Sequence, residues 1–199
     1  MTKMNRLVVV GAALALGMGA TAVAGTPAAA AKPTGLRAAP TSVPSKDAVP
    51  AIAPLGAAKT AVYLDGAGRV IPMAKSPSAV SETALIGCTP ESGRDNPHYS
   101  GGDVSGHGWW KKGSCSNDRA NVYNCLYEWY TDNSWRQKAC SPTRELRPYT
   151  GSGDRTVARA ACGDTTLTSW RNHVDVDVIG EIDTGEWPYN QADVACRVY

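Results

Sequence analysis

The chain has 199 residues, a formal net charge of +2, six cysteines and no phenylalanine. Removing residues 1–24 takes away Lys3 and Arg6 from the 20 basic residues and none of the 18 acidic ones, which leaves 18 against 18. A neutral chain whose longest basic run is Lys111-Lys112 lacks the basic face of a nucleic-acid binder. We therefore expect neither nucleic acid nor anionic membrane as a partner.

The N-terminus has the pattern of a secretory signal peptide. Lys3 and Arg6 precede an apolar run over residues 7–18, and Ala22-Val23-Ala24 has the small-x-small form that signal peptidase accepts. The apolar run is shorter than the ~20 residues that span a bilayer, so we expect no stable membrane insertion. Cleavage is expected after Ala24, with a second candidate site at residues 29–31. The mature protein is then predicted to be secreted and extracellular.

Residues 25–83 are rich in alanine and proline, with few large apolar side chains. Such a composition is typical of a linker or pro-segment, because it cannot bury enough surface to fold. Within it, residues 61–73 hold two short apolar runs around Asp65-Gly66, which predicts a short hairpin that either docks on the next domain or frays. We expect the folded domain to cover residues 84–199, a normal size for one domain.

The predicted domain is all-β. Short segments rich in β-branched and aromatic residues alternate with turn residues, and almost no helical period is present. In residues 174–178 the valines alternate with aspartates, which indicates a sheet exposed to solvent on one side. The fold class expected is an antiparallel β-sandwich of about seven strands. The predicted strands are Ala84–Thr89, Val104–Lys112, Ala120–Tyr130, Ser134–Cys140, Arg155–Cys162, Trp170–Ile179 and Ala192–Val198.

Six cysteines in a secreted chain predict three disulfides. The segments 120–130 and 134–140 meet at Asp132-Asn133, and a two-residue turn there places Cys125 opposite Cys140. The same register sets Trp129 against Arg136 and Tyr127 against Lys138, pairs suited to cation–π contact. The simplest completion of the remaining pairs gives the predicted set Cys88–Cys115, Cys125–Cys140 and Cys162–Cys196.

Aromatic residues give the candidate binding surface. Tyr127 and Trp129 share one face of the predicted hairpin, and Trp109 and Trp110 lie on the preceding strand. Because the chain has no phenylalanine, some tryptophans must also fill the core. We expect Tyr127, Trp129, Trp109 and Trp110 to contribute to a surface that binds a protein or a cell-wall glycan.

The sequence also contains candidate catalytic and metal-binding residues. Asp103, Ser105 and His107 lie within residues 101–113, but alternate residues of one strand stand ~7 Å apart, too far for a direct relay. His98 lies in a turn-prone stretch, and nothing in the sequence positions it beside His107. The cysteines show neither a Cys-x-x-Cys pair nor a Cys/His cluster, so we expect no metal and no cofactor. The alternating carboxylates of residues 175–186 are interpreted as a solvated face, with a weak calcium site over Glu181–Glu186 as the alternative.

A wider set of residues resembles a known group. Cys88, the run Asp95-Asn96-Pro97-His98-x-Ser100, Val104, Cys115, Cys162, Trp170-Arg171 and Cys196 form a pattern that resembles a group of secreted actinobacterial proteins of unknown function. The resemblance covers roughly residues 85–199 and implies a small disulfide-stabilised β domain behind a signal peptide and a linker. The last strand is similar to the F strand of immunoglobulin domains, but Val194 stands where that fold has its corner tyrosine. The immunoglobulin likeness is therefore an analogy.

The sequence favours a secreted, monomeric and non-catalytic binding module. One alternative is a small secreted hydrolase that uses His98 or His107 with Asp103. Another alternative is a protease inhibitor, which would need a rigid exposed loop such as residues 142–148. The first alternative depends on the three side chains meeting in a cleft, and the second depends on the loop standing free of the sheet.

Overall fold

The computed structural model describes residues 44–57, 61–72, 87–183, 185 and 187–199, so the predicted signal peptide lies outside the described residues. Within these ranges the chain forms eleven β-strands and no α-helix. No helix in this described part has the length and apolar character needed to cross a bilayer. The strands are β1 (Val62–Leu64), β2 (Val70–Ile71), β3 (Glu91–Arg94), β4 (His98–Ser100), β5 (Asp103–Lys111), β6 (Ala120–Tyr130), β7 (Ser134–Cys140), β8 (Arg144–Leu146), β9 (Thr156–Ala161), β10 (Asp164–Val178) and β11 (Tyr189–Arg197).

The strands form two sheets. The larger has the order β11-β10-β6-β7-β1-β2, and β8 also pairs with β6. The smaller has β5 at its centre, with β3, β4 and β9 paired to it. All pairings are antiparallel except that of β1 with β7, which is parallel. The all-β class predicted from the sequence is thus confirmed for the described residues.

Apolar side chains from both sheets meet in shared clusters. In one cluster Trp110 of the small sheet lies with Val122 and Val174 of the large sheet. In another, Val104 lies with Leu126 and Trp170. The faces follow the period-two alternation of strands, since Val174, Val176 and Val178 are buried while Asp177 between them is exposed. Burial of these side chains holds the two sheets together.

Three disulfides join Cys88 to Cys115, Cys125 to Cys140 and Cys162 to Cys196. These are the pairs expected from the hairpin and its simplest completion. Of the predicted strand over residues 84–89, residues 84–86 lie outside the described part of the chain and residues 87–89 carry no strand, since β3 begins at Glu91. Each of the bonds closes a loop and lowers the entropy of the unfolded chain.

The β6–β7 hairpin departs from its predicted register near the turn. Cys125 does face Cys140, but a bulge then shifts the pairing so that Trp129 faces Trp135 and Tyr127 faces Gln137. The predicted contacts of Trp129 with Arg136 and of Tyr127 with Lys138 are therefore wrong. The reason is a three-residue loop over 131–133 that ends in a left-handed residue at position 133. This loop shifts the pairing by one residue beside the turn, and a bulge at Lys138, between Gln137 and Ala139, restores the predicted pairing of Cys125 with Cys140.

The described residues between 44 and 72 pack on the large sheet, although their composition is that of a linker. β1 and β2 form an antiparallel hairpin, and β1 pairs with β7. The amide of Ala51 donates to the carbonyl of Trp129 over 3.0 Å. The side chain of Tyr63 is 5% exposed, and its ring lies edge-on to Tyr127 at 5.3 Å. This segment docks because it covers an aromatic sheet face that would otherwise contact water.

Candidate functional site

Three of the four predicted binding residues lie in the interior. Tyr127 and Trp110 are fully buried and Trp129 is 3% exposed. Tyr127 and Trp129 lie in an aromatic cluster that Tyr63 of β1 covers. The indole N–H of Trp110 points the other way and donates to the carbonyl of Leu146 between the sheets. These three residues therefore cannot form a contact surface, because the N-terminal segment or the second sheet already occupies their apolar faces.

Trp109, the fourth predicted residue, lies at a surface groove. Trp110 points into the core, so its neighbour on the strand points to the opposite face. Trp109 is partly exposed and lines a groove of about 250 Å³ that runs along the edge strand β3. The groove is lined by Glu91, Ser92, Gly93, Arg94, Trp109, Lys111 and Asn190.

A glycine on the neighbouring strand sets the position of the Trp109 indole. Gly93 pairs directly with Trp109, and a Cβ built on it would lie 2.0 Å from Nε1 of the indole. The ring therefore packs flat against the backbone of β3, where only glycine leaves room. The ring of Tyr149, which is 40% exposed, lies 5.1 Å from that of Trp109. Together they form a fixed aromatic surface beside the groove.

The rest of the groove supplies polar groups. Lys111 Nζ lies 2.8 Å from Glu91 Oε1 in an exposed ion pair. Nη1 of Arg94 donates to the carbonyl of Ser92 over 2.7 Å, while its Nε is buried without a hydrogen-bond partner. Burial also lowers the pKa of Arg94 from its usual value. The side-chain amide of Asn190 donates to the carbonyl of Arg94 over 3.3 Å, which ties β11 to the groove.

A second group of polar residues forms where β3 gives way to β4. Both β3 and β4 pair with β5. The residue numbers of each pair add up to 202 along β3, as for Gly93 and Trp109, but to 203 along β4, as for His98 and Ser105. One extra residue is therefore inserted between the two strands, next to Pro97. Without that insertion Asp95 and His98, three residues apart, would point to opposite faces of the sheet. The insertion brings both to the face that carries His107.

Asp95 and His107 form the closest contact of this group. Oδ2 of Asp95 lies 2.5 Å from Nδ1 of His107, and Oδ1 accepts the backbone N–H of His107 over 2.6 Å. The amide of Asn172, which is fully buried, donates to Oδ1 of Asp95 and to the carbonyl of His107. The carboxylate is thus held on both oxygens, and one of them is directed at an imidazole.

His98 completes the group. Its ring stacks on that of His107 with centroids 5.5 Å apart, and its Nδ1 lies 3.9 Å from Oδ2 of Asp95. The His98 side chain is 42% exposed, whereas that of His107 is 12% exposed. Solvent therefore reaches the cluster from the His98 side.

Other predicted site residues lie elsewhere. Asp103 pairs with Arg159 at 3.7 Å and not with the histidines. The carboxylate of Glu181 accepts the backbone N–H groups of Ser116 and Asn117, whereas Glu186 lies outside the described residues, so the calcium site over Glu181–Glu186 stays a prediction. His173 is fully buried, and burial lowers its pKa to about 3. It is a core residue of the large sheet.

Sequence reasoning missed Asp95 and Tyr149. A proline inside a strand-like stretch is a signal of a bulge, and Pro97 lies next to Asp95 and His98. That signal indicates an irregular edge without saying which strand lies opposite. Tyr149 lies in a turn, and no local pattern predicts its contact with Trp109.

Comparison with protein-family models, with characterised proteins and with solved structures found no match for this chain. The fold and the two surface features must therefore be interpreted from their own geometry.

Proposed function

We propose that the protein is a secreted, non-catalytic binding domain that takes a glycan of the cell wall into the groove beside Trp109. The observation that carries this proposal is the indole of Trp109, fixed on Gly93 and surrounded by hydrogen-bonding side chains. An aromatic ring offers a flat apolar surface to the C–H face of a sugar. The side chains of Arg94, Glu91 and Asn190 offer donors and acceptors to its hydroxyl groups.

The size and polarity of the groove favour a sugar over a protein partner. Its volume of about 250 Å³ is close to the lower end of the roughly 300–1,000 Å³ of small-ligand sites, which suits one sugar unit. Most of its lining is polar or charged, while the core of a protein interface is depleted of charged residues.

The architecture suits an extracellular role. We interpret the two facing sheets as a β-sandwich, with three disulfides that hold it together where no reducing agent protects thiols. Secretion would follow from the predicted signal peptide over residues 1–24, and monomeric behaviour from the sandwich closing its own core.

A hydrolase is the second candidate, because His107 and His98 meet. Asp95, not Asp103, is the carboxylate beside them, and its contact with Nδ1 would orient His107 as a general base. The buried hydroxyl of Ser105 makes no hydrogen bond, however, so this serine does not contact His107 as an activated nucleophile. The geometry favours the inhibitor less, since β8 pairs residues 144–146 to β6 within the loop that would have to enter a protease.

A glycan array and a cell-wall sedimentation assay with the purified full chain test the proposal. We expect saturable binding that falls at least tenfold in Trp109→Ala, because the stacking surface is lost. Tyr199→Ala is the matched control: Tyr199 is 77% exposed and lies outside the groove, so its removal should leave binding unchanged. Absence of glycan binding, or equal loss in both variants, would refute the proposal.

A further inference from the structure

We infer that Asp95, His98 and His107 form a binding site for a divalent transition metal ion such as zinc. The site is separate from the glycan groove, and the inference does not depend on the proposed function. One ligand atom from each of the three side chains lies within 4.8 Å of the other two. Two imidazole nitrogens and one carboxylate oxygen are ligands that zinc accepts.

The distances within the cluster fit a shared ion. A tetrahedral ion with bonds of about 2.0–2.1 Å keeps its ligand atoms roughly 3.3 Å apart. Oδ2 of Asp95 lies 2.5 Å from Nδ1 of His107 and 3.9 Å from Nδ1 of His98. These values lie on either side of the required spacing, each within 1 Å of it. The ion would replace the hydrogen bond between Asp95 and His107, and Nδ1 of His98, which lies 2.9 Å from the carbonyl of Asn96, would exchange that contact for the ion.

The cluster has the support that metal ligands usually have behind them. Oδ1 of Asp95 accepts the backbone N–H of His107 and the amide of Asn172, which leaves Oδ2 for the ion. The orientation of that amide is fixed in turn, because Asn124 donates to its oxygen over 2.9 Å. Both asparagines are fully buried. Hydrogen bonds to the ligating side chains fix their direction and raise metal affinity.

An unsatisfied hydroxyl is a second, independent indication of a ligand. Ser105 pairs with His98 across the strands and lies two residues from His107, so all three share one face of the small sheet. It is fully buried, and its Oγ has no hydrogen-bond partner. Such a group costs about 1–3 kcal/mol unless something satisfies it. A small shift of the strand ends on ion binding would let a water molecule on the ion supply the missing partner.

The arrangement corresponds to an open site and not a closed structural one. Three protein ligands leave the fourth position of a tetrahedral ion to water or to a ligand. Exposure of His98 leaves that position accessible. The disulfides already close the fold, so the ion is expected to add a binding centre without being required for folding.

Zinc titration of the full chain, freed of metal with a chelator and followed by calorimetry, tests the inference. We expect one equivalent of zinc to bind. His98→Ala and His107→Ala should each raise the dissociation constant for zinc at least tenfold. Asp95→Asn should raise the constant to the same extent. Asp103→Asn is its matched control: it removes one carboxylate from the same sheet, and it should change the constant less than twofold.

A measurement on the unmodified protein guards against variants that fail to fold. The chain has three histidines, so their ring proton signals can be followed by NMR during the zinc titration. We expect the signals of His98 and His107 to move and that of the buried His173 to stay. No saturable binding up to 1 mM zinc would overturn the inference. Binding that leaves the first two signals in place, or that is unchanged in both histidine variants, would also overturn it.

Discussion

His173 makes the stability of the fold depend on pH. Its ring is fully buried, where Nδ1 contacts the carbonyl of Trp187 and Nε2 contacts the hydroxyl of Tyr63. Burial lowers its pKa to about 3, whereas an unfolded histidine titrates near 6.5. Between these values the unfolded chain binds a proton that the folded chain excludes. The stability contributed by the neutral ring is therefore complete above pH 6.5 and is lost as the pH falls toward 3.

The size of the effect follows from linkage. Each pH unit in that window costs about 1.4 kcal/mol, so lowering the pH to 4.5 should remove about 3 kcal/mol from the free energy of unfolding. That is a large part of the roughly 5–15 kcal/mol of a typical domain. Denaturant unfolding at several pH values, followed by tryptophan fluorescence, measures it.

The variant His173→Gln isolates this contribution. Glutamine does not titrate, and its amide can still donate to Trp187 and accept from Tyr63. The variant should be less stable than the wild type at pH 7.5, but it should lose about 3 kcal/mol less on acidification to pH 4.5. Other groups, such as the buried Glu128 whose pKa burial raises, are common to both proteins and cancel in the comparison. Parallel pH profiles would refute the reasoning.

Three further outcomes are expected. Replacing both Cys125 and Cys140 by serine should cost about 3 kcal/mol of stability in denaturant unfolding, because it frees a loop of sequence separation 15 in the unfolded chain; an unchanged midpoint would contradict this. Tyr63→Ala should cost about 3 kcal/mol and expose the aromatic cluster to the dye ANS, whereas a segment that only rests on the surface would give neither effect. Gly93→Ala should displace the indole of Trp109 and abolish glycan binding while the unfolding midpoint changes little; full binding in this variant would show that the indole position is irrelevant.

The sequence predicted the features that depend on local patterns. The alternation of valine and aspartate along residues 174–178 correctly predicted which side chains of β10 are buried. The positions of Cys125 and Cys140 correctly predicted the strand pairing at the end of the hairpin far from the turn. The turn itself was predicted wrongly, because Asp132-Asn133 suits a two-residue loop as well as the last positions of a three-residue one. The difference of one residue moved the partners of Trp129 and Tyr127.

The candidate sites depended on contacts that the sequence does not encode locally. Trp109 and Trp110 are chemically identical neighbours, and only the placement of the second sheet decides which one is exposed. The aromatic face of Tyr127 is buried by β1, a strand within a segment of linker-like composition. The meeting of His98, His107 and Asp95 follows from a single inserted residue beside Pro97, whose effect depends on which strand lies opposite.

The most direct test of the binding function is the indole N–H signal of Trp109 during titration with the soluble cell-wall oligosaccharide that binds best on the array. The six indole signals can be resolved by NMR, and Trp109→Phe assigns the relevant one. We predict that this signal shifts and saturates, while those of the buried Trp110 and Trp135 stay in place. Binding that leaves the Trp109 signal unchanged would contradict the assignment of the groove as the glycan site.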